Sequence, residues 1–266
     1  MPTLISKRGL AKRAATSVQQ TPAEILYLAC RDDPAVFISN FIKIQHPIHG
    51  SMQLKLYSKQ VEYIDCLRDN GSTLGLFARQ SGSTTTTLAF ILWEALEKCG
   101  HSIAVLSENH AMSAHSAAIV QYMIRELPEF LRAMVVRMNR YCVEFTNGSR
   151  IIFDRASVGA LRGRTVNRVF VDQVAHIQES EQHYLWSELL RLAFSGRSVN
   201  TTTTPSKRDD IFHRQWHVAT TSPASTAFKP FVCTLDDMTW SNIDKDQVRQ
   251  QLGDEAFRRE YMCEFV

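Results

Sequence analysis

Residues 73–96 read TLGLFARQSGSTTTTLAFILWEAL. An apolar run leads into a short polar turn, which opens into a long stretch with helical apolar spacing. A turn entered from a strand and left by a helix presents backbone amides and the positive end of a helix to an anion. Within Phe77-Ala78-Arg79-Gln80-Ser81-Gly82-Ser83-Thr84, Gly82 allows close backbone approach and Thr84 stands where a hydroxyl meets magnesium. Two residues depart from the usual phosphate loop: Phe77 replaces its first glycine and Ser83 its lysine. On its own the stretch also fits an ordinary strand–turn–helix.

A second stretch bears on that choice. RVFVDQVAHI is an apolar strand ending in Asp172, followed by Gln173. A carboxylate at the carboxyl end of a buried strand is placed to hold Mg²⁺ beside a phosphate loop, although an Asp there can also cap the next segment. Gln173 has the length of a glutamate but cannot take a proton. A third strand, SVNTTTTP, runs into Thr202, Thr203 and Thr204, whose hydroxyls could sense a terminal phosphate; threonine also simply suits strands.

The rest of the chain fits one α/β domain. Strands are expected at TLGLF, SIAVLS, CVEFT, RIIFD, RVFVD, SVNTTT and FVCTL. Helices are expected near 84–98, 111–127, 182–194, 211–219 and 245–262. AEILYLACRDD and PAVFISNFIKIQH carry helical spacing, and a further helix follows a short extended piece and ends at Asn70-Gly71. Asn147-Gly148 between two apolar runs predicts one antiparallel hairpin. The strand–helix alternation elsewhere predicts a mainly parallel sheet covered on both faces.

Composition narrows the function classes. With 266 residues and 44% hydrophobic content the chain can bury a sizeable core, and a net charge of +3 does not by itself announce a nucleic-acid binder. No apolar run approaches the ~18 residues of a membrane span. Cys30, Cys66, Cys99, Cys142, Cys233 and Cys263 form no C-x-x-C pair, so free thiols are expected and a zinc site is not indicated. Residues 1–22, with Lys7, Arg8, Lys12 and Arg13, read as a basic flexible arm ahead of a domain over 23–266 whose helical lead-in runs to about 70. Arg155, Arg162, Arg164 and Arg168 cluster before the Asp172 strand, either touching DNA or a neighbouring subunit or forming a solvated loop.

Taken in order, LYSKQ, ARQSGSTTTTLAFILWEAL, TNGSRIIF, LRGRTVNRVFVDQVAHI and NTTTTP resemble the ATPase domain of the tailed-phage terminase large subunit, from about residue 37 onward. That family's loop reads S/A-R-Q-x-G-K-T-T, so Phe77 is not a departure within it. The resemblance implies a P-loop NTPase fold, ATP and Mg²⁺, and coupling of ATP to movement of double-stranded DNA into a procapsid. It implies the capsid portal protein and small terminase subunit as partners, a homo-oligomeric ring, no membrane, and work in the cytoplasm of an infected bacterium.

By position, Tyr57 and Gln60 match the adenine contacts. Arg79 and Gln80 match the loop Arg-Gln, the arginine being the candidate for stabilising transition-state charge. Ser81, Gly82, Ser83, Thr84 and Thr85 match the phosphate and magnesium segment, Asp172 the metal-coordinating Asp, and Thr202, Thr203 and Thr204 the coupling motif. Ser83 occupies the lysine position and Gln173 that of the catalytic glutamate, so slow or absent hydrolysis is expected. Glu179, Glu181 or Asp209 could supply a displaced carboxylate. The family's nuclease domain is not expected within these residues. A nucleotide-binding pseudoenzyme that regulates or assembles with active partners, and a helicase-type ATPase, remain alternatives. All of these readings require the amides around Gly82 and the carboxylate of Asp172 to converge on one triphosphate.

Overall fold

The computed structural model describes residues 20–46, 48–157, 159–239 and 241–266. The basic residues Lys7, Arg8, Lys12 and Arg13 lie outside these described residues. In chain order the elements are α1 (Pro22–Cys30), α2 (Pro34–Phe41), β1 (Lys43–His46), β2 (Gly50–Gln53), α3 (Ser58–Asp69), β3 (Ser72–Phe77), α4 (Ser83–Glu97), β4 (Ser102–Ser107), α5 (His110–Arg125) and α6 (Glu129–Arg132). There follow β5 (Val135–Met138), β6 (Cys142–Phe145), β7 (Arg150–Arg155), β8 (Arg168–Asp172), α7 (Glu179–Phe194), β9 (Ser198–Thr203), α8 (Ile211–Thr221), β10 (Phe228–Cys233), α9 (Lys245–Leu252) and α10 (Asp254–Met262).

Among the described residues, eight strands form one sheet in the order β10-β3-β9-β8-β4-β7-β6-β5. The six from β10 to β7 are parallel, and β6 and β5 extend the sheet antiparallel. β3, β4 and β8 are buried along their whole length, which accounts for their unbroken apolar runs, whereas β6 alternates. The path β3→α4→β4 runs one way along the sheet, while β8→α7→β9 and β9→α8→β10 run the other way. Right-handed crossovers in opposite directions place α4 and α7–α8 on opposite faces. Accordingly α4 packs with α2, α3 and α5, and α7 with α8. Leu74, Leu76, Ile103, Val105, Val169, Val171 and Val199 fill the centre of the core.

The expected hairpin is present: Asn147 and Gly148, the latter at φ 81°, lie between β6 and β7. Three details differ from expectation. Helix α2 stops at Phe41, and Lys43–His46 pairs instead with Gly50–Gln53 as a separate two-stranded ribbon. Strand β5 adds a second antiparallel pairing to the main sheet. The helix expected over 245–262 breaks at Gly253, whose φ of 83° ends α9 and starts α10. All six cysteines are free thiols. No helix among the described residues is long and apolar enough to cross a membrane.

Candidate nucleotide site

The carboxyl ends of β3, β4, β8 and β9 lie side by side, and a cavity of about 400 Å³ opens above them. In open parallel sheets this is where ligands bind, near the point at which successive connections change direction. The cavity is lined by residues 77–85 of the loop and helix start, together with Glu108, Gln173, His176 and Thr204.

Local backbone requirements explain the loop's sequence. Gly75 lies in β3 where a Cβ would meet the carbonyl of Thr201 at 2.8 Å, so only glycine lets β9 approach. Gly82 caps α4 at φ 77°, and a Cβ there would meet Gln60 Nε2 at 2.9 Å. Gln80 and Gln173 also adopt positive φ, 61° and 55°, without being glycine. Such backbone costs of the order of 1–3 kcal/mol each and concentrates at functional sites. The first-turn amides of α4, at Ser83, Thr84 and Thr85, have no intrahelical carbonyl to meet, and these residues line the cavity.

Beneath the loop, Asp172 at the end of β8 joins the first turn of α4 to β9. Thr84 Oγ1 donates to its Oδ2 at 2.9 Å, and Thr202 Oγ1 to its Oδ1 at 2.7 Å. Burial pushes the Asp172 carboxyl above its ordinary range, against the pull of the Thr202 and Thr84 hydroxyls. Thr84 at the start of α4 and Asp172 at the end of β8 are thus in direct contact, and Asp172 itself does not line the cavity.

The three threonines have separate surroundings. Thr202 bonds Asp172, and Thr203 donates to the Thr204 carbonyl at 2.8 Å. Only Thr204 lines the cavity, where its Oγ1 lies 2.8 Å from His176 Nε2. Gln60 reaches the loop from behind, donating to the Ser81 carbonyl at 3.0 Å and accepting from the Tyr57 amide at 3.2 Å. Neither Tyr57 nor Gln60 lines the cavity. Arg79 lines it but is tied to α10: its amide donates to the Glu260 carbonyl at 2.9 Å and its guanidinium to the Glu260 carboxylate at 2.5 Å.

The arginine cluster divides, and Arg168 is a correction. Its guanidinium is buried against Glu94, 2.5 Å away on α4, bonds Asn200, and lies over the Phe90 ring. It is therefore a core ion-pair partner and unavailable to DNA or another subunit. Arg162 is exposed, Arg164 pairs with Asp154 at 3.2 Å, and Arg155 pairs with Glu181 at 3.4 Å. Of the carboxylates considered as substitutes, Glu179 and Asp209 line a neighbouring cavity, and none of Glu179, Glu181 and Asp209 lines this one. Glu108 and His176 were missed. Glu108 follows a fully buried strand, the signal that drew attention to Asp172.

The family model described as "Terminase large subunit, T4likevirus-type, N-terminal" matches residues 74–266. Solved structures share the fold at low identity. The Thermus phage P74-26 large terminase ATPase domain superposes with a TM-score of 0.63 at 18% identity, over 80% of this chain and 94% of that one. The HK97 bacteriophage large terminase gives 0.67 at 13% identity, over 89% of this chain and 55% of that one. The large terminase of a thermophilic bacteriophage, solved in complex with ADP, gives 0.59 at 14% identity, over 79% of this chain and 53% of that one. With the family match spanning most of its length, the chain belongs to the T4likevirus-type terminase large subunits and corresponds to their N-terminal region.

Proposed function

We propose that the chain binds Mg-ATP at the loop and is the nucleotide-driven part of a motor that packages double-stranded viral DNA. One observation carries this reading: Thr84, Asp172 and Thr202 meet in one hydrogen-bonded group beside a cavity lined by the loop and the first turn of α4. The thermophilic-phage terminase solved with ADP supports a nucleotide as the ligand. A hydroxyl and a carboxylate are hard oxygen donors, a set that suits Mg²⁺, so Thr84 and Asp172 would hold the ion. When bound, Mg²⁺ would neutralise charge on the outer phosphates.

The amides of Ser83, Thr84 and Thr85 hold phosphate oxygens, and Thr204 with His176 closes the far wall. Ser83 brings no cation, a loss worth roughly 10²–10³ in rate. Gln173 orients water but accepts no proton. Turnover is therefore slow. The DNA, the portal protein, the small terminase subunit and a ring of copies are the partners of this motor.

The test is titration of a fluorescent ATP analogue with and without Mg²⁺. Wild type should bind more tightly with the ion, and Asp172→Ala should erase that difference. Absence of binding by the wild type would overturn the reading.

A further inference from the structure

We propose that Glu108 is the carboxylate that takes the proton from the attacking water, replacing the one absent at Gln173. The inference rests on the nucleotide reading above. Strand β4 lies next to β8, and the register pairs Leu106 with Val171. Glu108 and Gln173 are the residues that directly follow these two neighbouring strands. Both residues line the same cavity as Gly82, Ser83, Thr84 and Thr85. A general base offered from the neighbouring strand end thus faces the same space as one offered from the position after Asp172.

Competing groups have other engagements. Asp172 has one oxygen on Thr84 and the other on Thr202. Glu260 holds Arg79, and Glu181 holds Arg155. His176, another titratable side chain on the cavity wall, has its Nε2 against Thr204. Among the described residues, Glu108 is the only one lining the cavity that bears a carboxylate. It is exposed between β4 and Asn109, the N-cap of α5. The Asn109 side chain accepts from the Met112 amide at 3.0 Å and so anchors the residue beside Glu108.

The reaction balances with these groups. A water oxygen forms a bond to the γ-phosphorus as the bridging Pγ–O bond breaks. The electron pair of that bond leaves on the β-phosphate of ADP. Glu108 takes the proton shed by the water and returns it to solvent once phosphate departs. Gln173 donates a hydrogen bond to the same water and fixes its line of approach.

The full chain is assayed with Mg²⁺, with and without double-stranded DNA. The probes are a fluorescent ATP analogue for binding and inorganic phosphate release for turnover. Wild type should release phosphate slowly. Glu108→Gln, an exposed and nearly isosteric change, should keep binding and lose turnover by about 10²–10⁴-fold. Adding Gln173→Glu to Glu108→Gln should restore turnover, since the base then returns at the neighbouring strand end. Glu108→Gln turning over like wild type would overturn the proposal, and so would a wild type that binds the analogue without releasing phosphate. Both outcomes leave the nucleotide site standing. Failure of wild type and variants alike to bind the analogue would remove the site itself.

Discussion

Glu94 and Arg168 show what one buried charge demands of its neighbours. Glu94 on α4 is surrounded by His101, Arg168 and Lys98. Burial works against its ionisation, but these groups outweigh burial and hold the carboxyl well below its ordinary value of 4.5. Removing one member of a buried pair leaves the other uncompensated, so Glu94→Gln should destabilise the fold by about 3–5 kcal/mol at neutral pH, measured by chemical unfolding. Because the folded-state value is depressed, this stabilisation is complete above the unfolded value and is lost as pH falls through the folded one. The gap between wild type and variant should therefore close in acid, and a gap that holds constant there would refute the assignment.

The same pair marks a limit of sequence reading. Arg168 heads an apolar strand, so in the sequence it joins the basic cluster before it, and its partner lies 74 residues away. Asp172 was legible because a lone carboxylate after an apolar run stands out. Glu108 follows the same kind of run, but no phosphate-loop motif assigns a role to the end of that strand.

At the scale of elements, the start of α4 depends on a left-handed turn at Gly82. A side chain there bears backbone strain of about 1–2 kcal/mol. It also crowds Gln60 Nε2, which holds the Ser81 carbonyl. Gly82→Ala should therefore lower stability by at least that strain in urea unfolding and weaken binding of the ATP analogue. Unchanged stability would mean the loop has another accessible conformation.

Strands β3, β4 and β8 were legible because each is a mostly apolar run buried along its length. Strand β1 was not, because Lys-Ile-Gln-His continues the spacing of α2 and only pairing with β2 turns it into a strand. The break between α9 and α10 needed the backbone angle at Gly253. The loss of periodicity there is slight, since both segments are amphipathic.

Across the whole molecule, connectivity separates the loop strand from its partners. β3 pairs only with β9 and β10, and the hydrogen bond from Asn200 Nδ2 to Thr73 Oγ1 spans 127 residues. The β6–β7 hairpin is local. Distant pairings form slowly because loop closure comes before any contact that stabilises it. In refolding followed by pulsed hydrogen exchange, β3 amides should gain protection together with those of β9 and later than those of β6. Protection of β3 before β9 would contradict this order.

The consequence reaches into synthesis on the ribosome. Until β9 has left the exit tunnel, the strand leading into the loop has two bare edges and nothing to pair with, an adhesive state for a nascent chain. A slow stretch of translation placed before β9 would prolong that exposure. One placed after β10 would not.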